Sequence, residues 1–139
     1  RRWVDVHLYT DTAACFTHVR KNYDKIYSTH LDEEPTSLYE LNLTESVALL
    51  FGNEHDGVSE ISLAHSDGNF IIPQMGMVQS LNISVACAVS VYEAFRQRDL
   101  KKMYTENSPM TAVEQVALLE EFKNRQLRGE KGNLAEKIK

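Results

Sequence analysis

The chain has 139 residues, 42% hydrophobic and 25% charged, which suits one domain with a real core and is ordinary for a globular protein. Its formal net charge of −5 argues against nucleic-acid binding by bulk electrostatics, though it leaves room for a local basic patch. No apolar run approaches the roughly 20 residues that span a bilayer, and no signal peptide is visible.

Two cysteines, Cys15 and Cys87, fall on apolar helical faces without metal-type spacing. They read as buried thiols of a reducing compartment, which places the protein in the cytoplasm. The chain opens at Arg1 and enters a strand-like run almost at once, so a further N-terminal portion is expected upstream.

Trp3 to Tyr9 (WVDVHLY) alternates apolar and polar residues and predicts a strand. Thr10 or Asp11 can cap a helix running to about Asn22. Lys25 to Thr29 (KIYST) predicts a second strand, and His30 to Tyr39 an acidic, proline-containing loop. Val47 to Phe51 (VALLF) is continuously apolar, as expected of a central parallel strand covered on both faces. Ser59 to Ala64 gives a short helix, and Asp67-Gly68 a turn into a strand at Phe70–Ile72 that Pro73 ends. Ser80 or Asn82 then caps a long helix from about Leu81 to Arg98.

That helix carries two apolar stripes, Leu81, Val85, Ala88, Tyr92, Phe95 and Ile83, Ala86, Cys87, Val91, Ala94, so both sides need covering: a sheet on one, a second subunit on the other. A charged linker, a helix from about Thr111 to Leu127 and a frayed polar tail complete the chain. The alternation implies an α/β fold with a parallel sheet and right-handed crossovers.

Three constellations could carry chemistry. Phe51 to Ser59 (FGNEHDGVS) leaves the carboxyl end of a buried strand, the usual ligand crevice of an open parallel sheet. Gly52 and Gly57 allow close backbone approach, and Glu54 could accept from a ribose hydroxyl or an amide; an ordinary strand-to-helix turn with solvated acids fits the spacing equally well. No GxxxxGK[ST] pattern is present, and Glu54 and Asp56 would repel phosphate. In PQMGMVQSLN, Met75, Gly76 and Met77 could wall a flat apolar ligand, with Ser80 and Asn82 at a helix start; on physics alone, caps and core methionines account for them better. Arg96, Arg98, Lys101 and Lys102 complement a helix C-terminus, with phosphate contact as the sharper alternative. No histidine pair has metal spacing, and no metal is assigned.

LLFGNEHDGVS, IIPQMGMVQSLNISVA and YEAFRQR together resemble the second and third motifs of the SPOUT RNA methyltransferases, in particular the TrmH group of tRNA guanosine ribose 2′-O-methyltransferases. The resemblance runs from about Trp3 through Tyr104. It implies a parallel-sheet α/β-knot with a C-terminal trefoil knot, a methyltransferase domain over residues 1–104 and a helical extension over 105–139.

It further implies S-adenosylmethionine as cofactor, tRNA as partner with a D-loop guanosine as target, and a homodimer packed through the helix after the knot. By position, Thr29, Gly52, Ile72 and Leu81 would contact the cofactor, and backbone near Met77 and Ser80 would hold the adenine. Glu54, Ser80 and Asn82 would serve activity or shape the active site. Arg96 and Arg98 would handle tRNA, and Arg2 would lie near it.

The family's Asn-x-x-Arg first motif, whose arginine activates the hydroxyl, lies upstream of the region this chain covers. Gln74 replaces an expected apolar residue after Pro73. The chain is therefore expected to keep cofactor pocket and dimer face while being catalytically weak or dead. Methylation of ribosomal RNA, a non-catalytic RNA-binding or dimerisation module, and a generic α/β nucleotide-binding domain are the competing readings.

Overall fold

In the computed structural model, which describes residues 4–31, 35–53, 56–77 and 80–128, a local hydrogen bond starts the first helix. Asp11 is extended, its carboxylate accepts the Ala14 N–H at 2.8 Å, and α1 runs over Thr12–Asn22. Strand β1 (Lys25–Thr29) leads to a short strand β2 (Thr36–Ser37) and a 3₁₀ turn (Leu38–Glu40), closed by a capping box between Ser37 and Glu40. Then come β3 (Val47–Leu50), α2 (Glu60–Leu63, capped by Ser59), β4 (Gly68–Ile71), α3 (Ile83–Leu100) and α4 (Ala112–Arg128).

The four strands form one parallel sheet in the order β2-β4-β1-β3. Strand β1 lies inside, with Ile26 opposite Ala48 on one side and Ser28 opposite Asn69 on the other. The two-residue period sorts its side chains: Ile26 and Ser28 are fully buried, while Tyr27 turns to the other face and joins Leu38, Leu41, Leu43 and Phe70 in the main core. The Ser28 hydroxyl donates to Asn69 Oδ1 at 2.7 Å, so the buried polar group on this strand is paired.

Helix α3 packs on that core through Val89 and Ala94. A polar seam fixes it. Gln97 accepts the Leu43 N–H at 2.9 Å and donates to the Leu41 carbonyl at 3.0 Å, and Arg98 Nε donates to the Leu43 carbonyl at 2.9 Å.

Several expectations need correction. Residues 4–9 do not form a strand; only a single bridge at Leu8 interrupts irregular chain, and His7 and Tyr9 lie against the His18 ring instead. Strand β3, despite its unbroken apolar sequence, ends the four-strand order rather than sitting in the middle, and all four of its residues are half-buried. The 30–39 stretch is not wholly loop: β2 joins the sheet, and Leu38 is completely buried. Cys15 and Cys87 are half-buried. Of the two apolar stripes, Leu81, Ala86, Cys87 and Ala94 are half-buried, while Val85, Val91, Tyr92 and Phe95 are exposed in the single chain, and Leu81 precedes the helix proper.

A second clamp ties α1 to the entrance of β4. Arg20 donates to Asp67 Oδ2 at 2.7 Å and to the His65 carbonyl at 2.6 Å, and the same Asp67 oxygen accepts the Ile26 N–H at 2.7 Å. The hydrogen bond from Arg20 holds the Asp67 carboxyl below its ordinary range, against burial, with the Ile26 N–H acting in the same direction. Asp67 is thus more acidic folded than unfolded, where its pKa is about 3.9. Its contribution to stability is complete above the unfolded value and is lost as pH falls through the folded one. In thermal unfolding followed from neutral to strongly acid pH, Asp67→Asn should lower Tm at neutral pH and flatten the acid limb relative to wild type.

Candidate functional site

Three chain segments leave the carboxyl ends of β1, β3 and β4 on one side of the sheet and meet the start of α3 there. Between them lies a cleft of about 1020 Å³. Thr29 and His30 line it after β1, Gly52, Asn53, Asp56, Gly57 and Val58 after β3, Ile72, Gln74 and Gly76 after β4, and Ser80 to Ile83 with Ala86 from the approach to α3 and its first turn.

The segment after β3 closes on itself. Asn53 and Gly57 exchange backbone hydrogen bonds at 3.0 and 3.2 Å, and Asn53 Oδ1 accepts the Asp56 N–H at 2.7 Å. Gly57, at φ 67°, supplies the left-handed turn. The ring is tight enough that a Cβ on Gly52 would stand 2.1 Å from the Gly57 carbonyl carbon and 2.4 Å from the Val58 nitrogen. Val58 is buried behind it, and Ser59 starts α2 by accepting the Ser62 N–H. Gly76 is needed for another reason: its φ of 140° is open to glycine, although no described residue lies within 4 Å of where a Cβ would stand.

Among the expected site residues, Thr29, Gly52, Ile72, Ser80, Leu81 and Asn82 are brought together in this one cleft. Thr29 Oγ1 donates to the Leu50 carbonyl at 3.4 Å, linking β1 and β3 at its edge. Asn82 is the cap of α3, accepting the Ser84 N–H at 2.9 Å, and Ser80 is exposed. Met77 is 99% exposed and Met75 equally so; neither lines the cleft nor packs in the core. Glu54 and Arg2 lie outside the described residues.

Arg96 and Arg98 are remote from the cleft, whose lining on α3 stops at Ala86. Arg96 forks onto Glu93 with two bonds of 2.8 Å, and Arg98 donates to the carbonyls of Leu43 and Glu45. Glu93 is 6% exposed. Its carboxyl is held below the usual range first by the hydrogen bond from Arg96, against burial, and further by Gln97. Sequence reasoning missed Glu93, although an acid on a helix with Arg at i+3 and Gln at i+4, as in YEAFRQR, is the signal that could have found it. It missed His30 and Gln74 as lining residues too, since a strand-end position has no residue signature.

The described lining contains Asp56 and no lysine or arginine. Such a cleft discourages phosphate and admits a neutral or cationic ligand with an apolar part set against Ile72 and Leu81. No group of described residues could hold a metal ion, and no described helix is long and apolar enough to cross a membrane.

A parallel α/β sheet whose glycine-turned loops gather at the carboxyl ends of its strands is a ligand-binding domain of the open-sheet class. The chain belongs to the SpoU methylase family: the pattern described as the SpoU rRNA Methylase family matches residues 1–92. It is 39% identical over 118 residues to the tRNA (guanosine(18)-2′-O)-methyltransferase of Escherichia coli K12, covering 84% of this chain and 52% of that protein. Its fold is similar to the crystal structure of the A. aeolicus TrmH/SpoU tRNA modifying enzyme, with TM-score 0.75, 30% identity and coverage of 92% and 63% of the two chains. It is also similar to the Streptomyces viridochromogenes SpoU methyltransferase AviRb in complex with AdoMet, at TM-score 0.55 and 28% identity, over 63% of this chain and 36% of that one. The chain spans about half the length of the E. coli relative.

The two glycines yield a measurable contrast. Gly52→Ala should lower unfolding free energy by about 1–3 kcal/mol through overpacking against the 57–58 backbone. Gly76→Ala should cost about 1–3 kcal/mol through torsional strain alone. Urea unfolding of both variants checks the magnitudes.

Proposed function

We propose that this chain is the cofactor-binding part of an enzyme that methylates a ribose 2′-hydroxyl of tRNA, a D-loop guanosine, with S-adenosylmethionine as donor. The observation carrying this reading is the backbone-walled cleft at the strand ends, acidic at Asp56 and free of described cations, in a chain of the SpoU methylase family. A donor with a sulfonium cation suits that charge, and Gly76 lines the same cleft. The residues present therefore fit the group.

Thr29, Gly52, Ile72 and Leu81 would hold the donor, with backbone near Met77 and Ser80 accepting the adenine. When bound, the donor supplies an activated methyl group. The chain's task is to set the ribose oxygen in line with it, and positioning of that kind carries much of the rate. Ser80, exposed at the cleft, and Glu54 would serve activity or shape the active site, and Asn82 would do so by fixing the start of α3. The resemblance names Arg2, Arg96 and Arg98 for RNA handling, and of the last two Arg96 keeps the more open side chain. An arginine that activates the hydroxyl would have to come from an Asn-x-x-Arg segment outside this sequence, so turnover by residues 1–139 is weak.

The same reading gives residues 1–104 as the methyltransferase domain, with the chain after β4 tied in a trefoil knot, and 105–139 as a helical extension. Arg125 of α4 pairs with Asp5 at 2.8 Å, which supports the extension lying against the start of the chain. The protein works as a homodimer in the cytoplasm. The support is the outer face of α3, where Tyr92 is 75% and Phe95 51% exposed and Phe95 stacks on Tyr104. Apolar area of that extent asks for a partner.

Calorimetry with S-adenosylmethionine should give micromolar affinity, and a methylation assay on unmodified tRNA only slow turnover. Absent cofactor binding would sink the enzyme reading, and preferential methylation of ribosomal RNA would move the substrate. In light scattering, wild type should be a dimer and Phe95→Glu a monomer.

A further inference from the structure

The resemblance treats Arg96 and Arg98 alike, yet the structure uses them differently. Arg98 is half-buried, with Nε on the Leu43 carbonyl at 2.9 Å and Nη2 on the Glu45 carbonyl at 3.3 Å, so its donor edge faces protein. Arg96 is more than half exposed, its side chain retaining 58% of its free surface. Its Nε and Nη2 bind the two oxygens of Glu93, at 2.8 Å each, and Nη1 makes no hydrogen bond among the described residues.

Glu93 itself is buried, and a third bond from Gln97 Nε2 at 2.8 Å fixes its orientation. Gln97 is in turn pinned by Leu41 and Leu43. The guanidinium is thus held as a plane by a carboxylate that cannot move, with one edge turned to solvent.

We propose, building on the tRNA-binding reading above, that Glu93 is a positioning residue presenting Arg96 to an RNA phosphate, while Arg98 is a structural clamp and makes no RNA contact. A fork already fixed loses little freedom when it meets a phosphate, and its planar geometry matches two phosphate oxygens. Lys101 and Lys102, the neighbouring cations, donate instead to Thr44 Oγ1 and to the Glu106 carboxylate.

The test measures affinity for unmodified tRNA over a series of KCl concentrations, together with Tm and S-adenosylmethionine binding. The variants are Arg96→Gln, Glu93→Gln, the pair combined, and Arg98→Gln. Each phosphate contact contributes about one to the slope of log affinity on log salt. Arg96→Gln should weaken tRNA binding several-fold and reduce the slope by about one, with cofactor binding in place and a lower Tm, because buried Glu93 loses its main partner. Glu93→Gln should reproduce most of that loss, and the double variant should add nothing to Arg96→Gln. Arg98→Gln should lower Tm and leave the slope unchanged.

If Glu93 were merely structural, its variant would lower Tm without moving the salt slope, and that overturns the assignment. So does additivity of Glu93→Gln and Arg96→Gln, or a slope that falls with Arg98→Gln and not with Arg96→Gln. Should Glu93→Gln not fold, Glu93→Asp, which keeps the charge and shortens the reach, serves the same comparison. A wild-type chain that binds cofactor but no tRNA refutes the RNA reading itself and takes this inference with it.

Discussion

One side-chain amide allows an irregular piece of chain to be buried under a helix. Leu41 and Leu43 belong to the core, and backbone groups taken from water there need partners. Gln97 supplies two of them, accepting from Leu43 and donating to Leu41, while Arg98 satisfies the Leu43 carbonyl. Without this seam the 41–45 segment would have to stay solvated, and Leu38, Leu41 and Leu43 could not close over Phe70. Phe70 also lines the cleft. The polar contacts on the far half of α3 thereby determine what the ligand side of the sheet looks like.

The cleft is chiefly a product of backbone. Parallel strands send their carboxyl ends the same way, and the loops that follow converge without needing any particular side chain. Its character is then set by a few lining residues: glycine at 52 and 57, an acid at Asp56, an alcohol at Ser80, an asparagine that starts α3. The apolar walls come from residues shared with the core, since Ile72 packs on the main cluster and lines the cleft as well. Cleft and core are neighbours across a single layer of side chains.

Much of this was legible from local signals. Asp11 before α1, Ser59 before α2 and Asn82 before α3 are capping residues at helix starts, and KIYST coincided with β1. The family could be read from FGNEHDGVS and SLN taken together, and six residues named from the resemblance do share one cleft. Strand order was not legible, because VALLF looks the same whether it ends a sheet or sits inside one. Strand β2 was hidden for a related reason: two residues carry no period, and its pairing with β4 is a long-range event. The methionines misled in the opposite sense. Their apolar character suggested a wall or a core, whereas the loop turning at Gly76 leaves both in water. Arg98 and Glu93 differ from surface charges only through contacts more than fifty residues away or through burial, which no window of sequence contains.

The two special glycines of the cleft fail for different causes, and heredity would register the difference. At position 52 the obstacle is a collision with a neighbouring strand of backbone, so a second change that shifts residues 57–58 could restore a side chain there. At position 76 the obstacle is the torsion of the residue itself, and no alteration elsewhere repairs it while the loop keeps its path. Descendants of this chain should therefore be able to escape the first constraint in paired steps and the second only by rebuilding the turn.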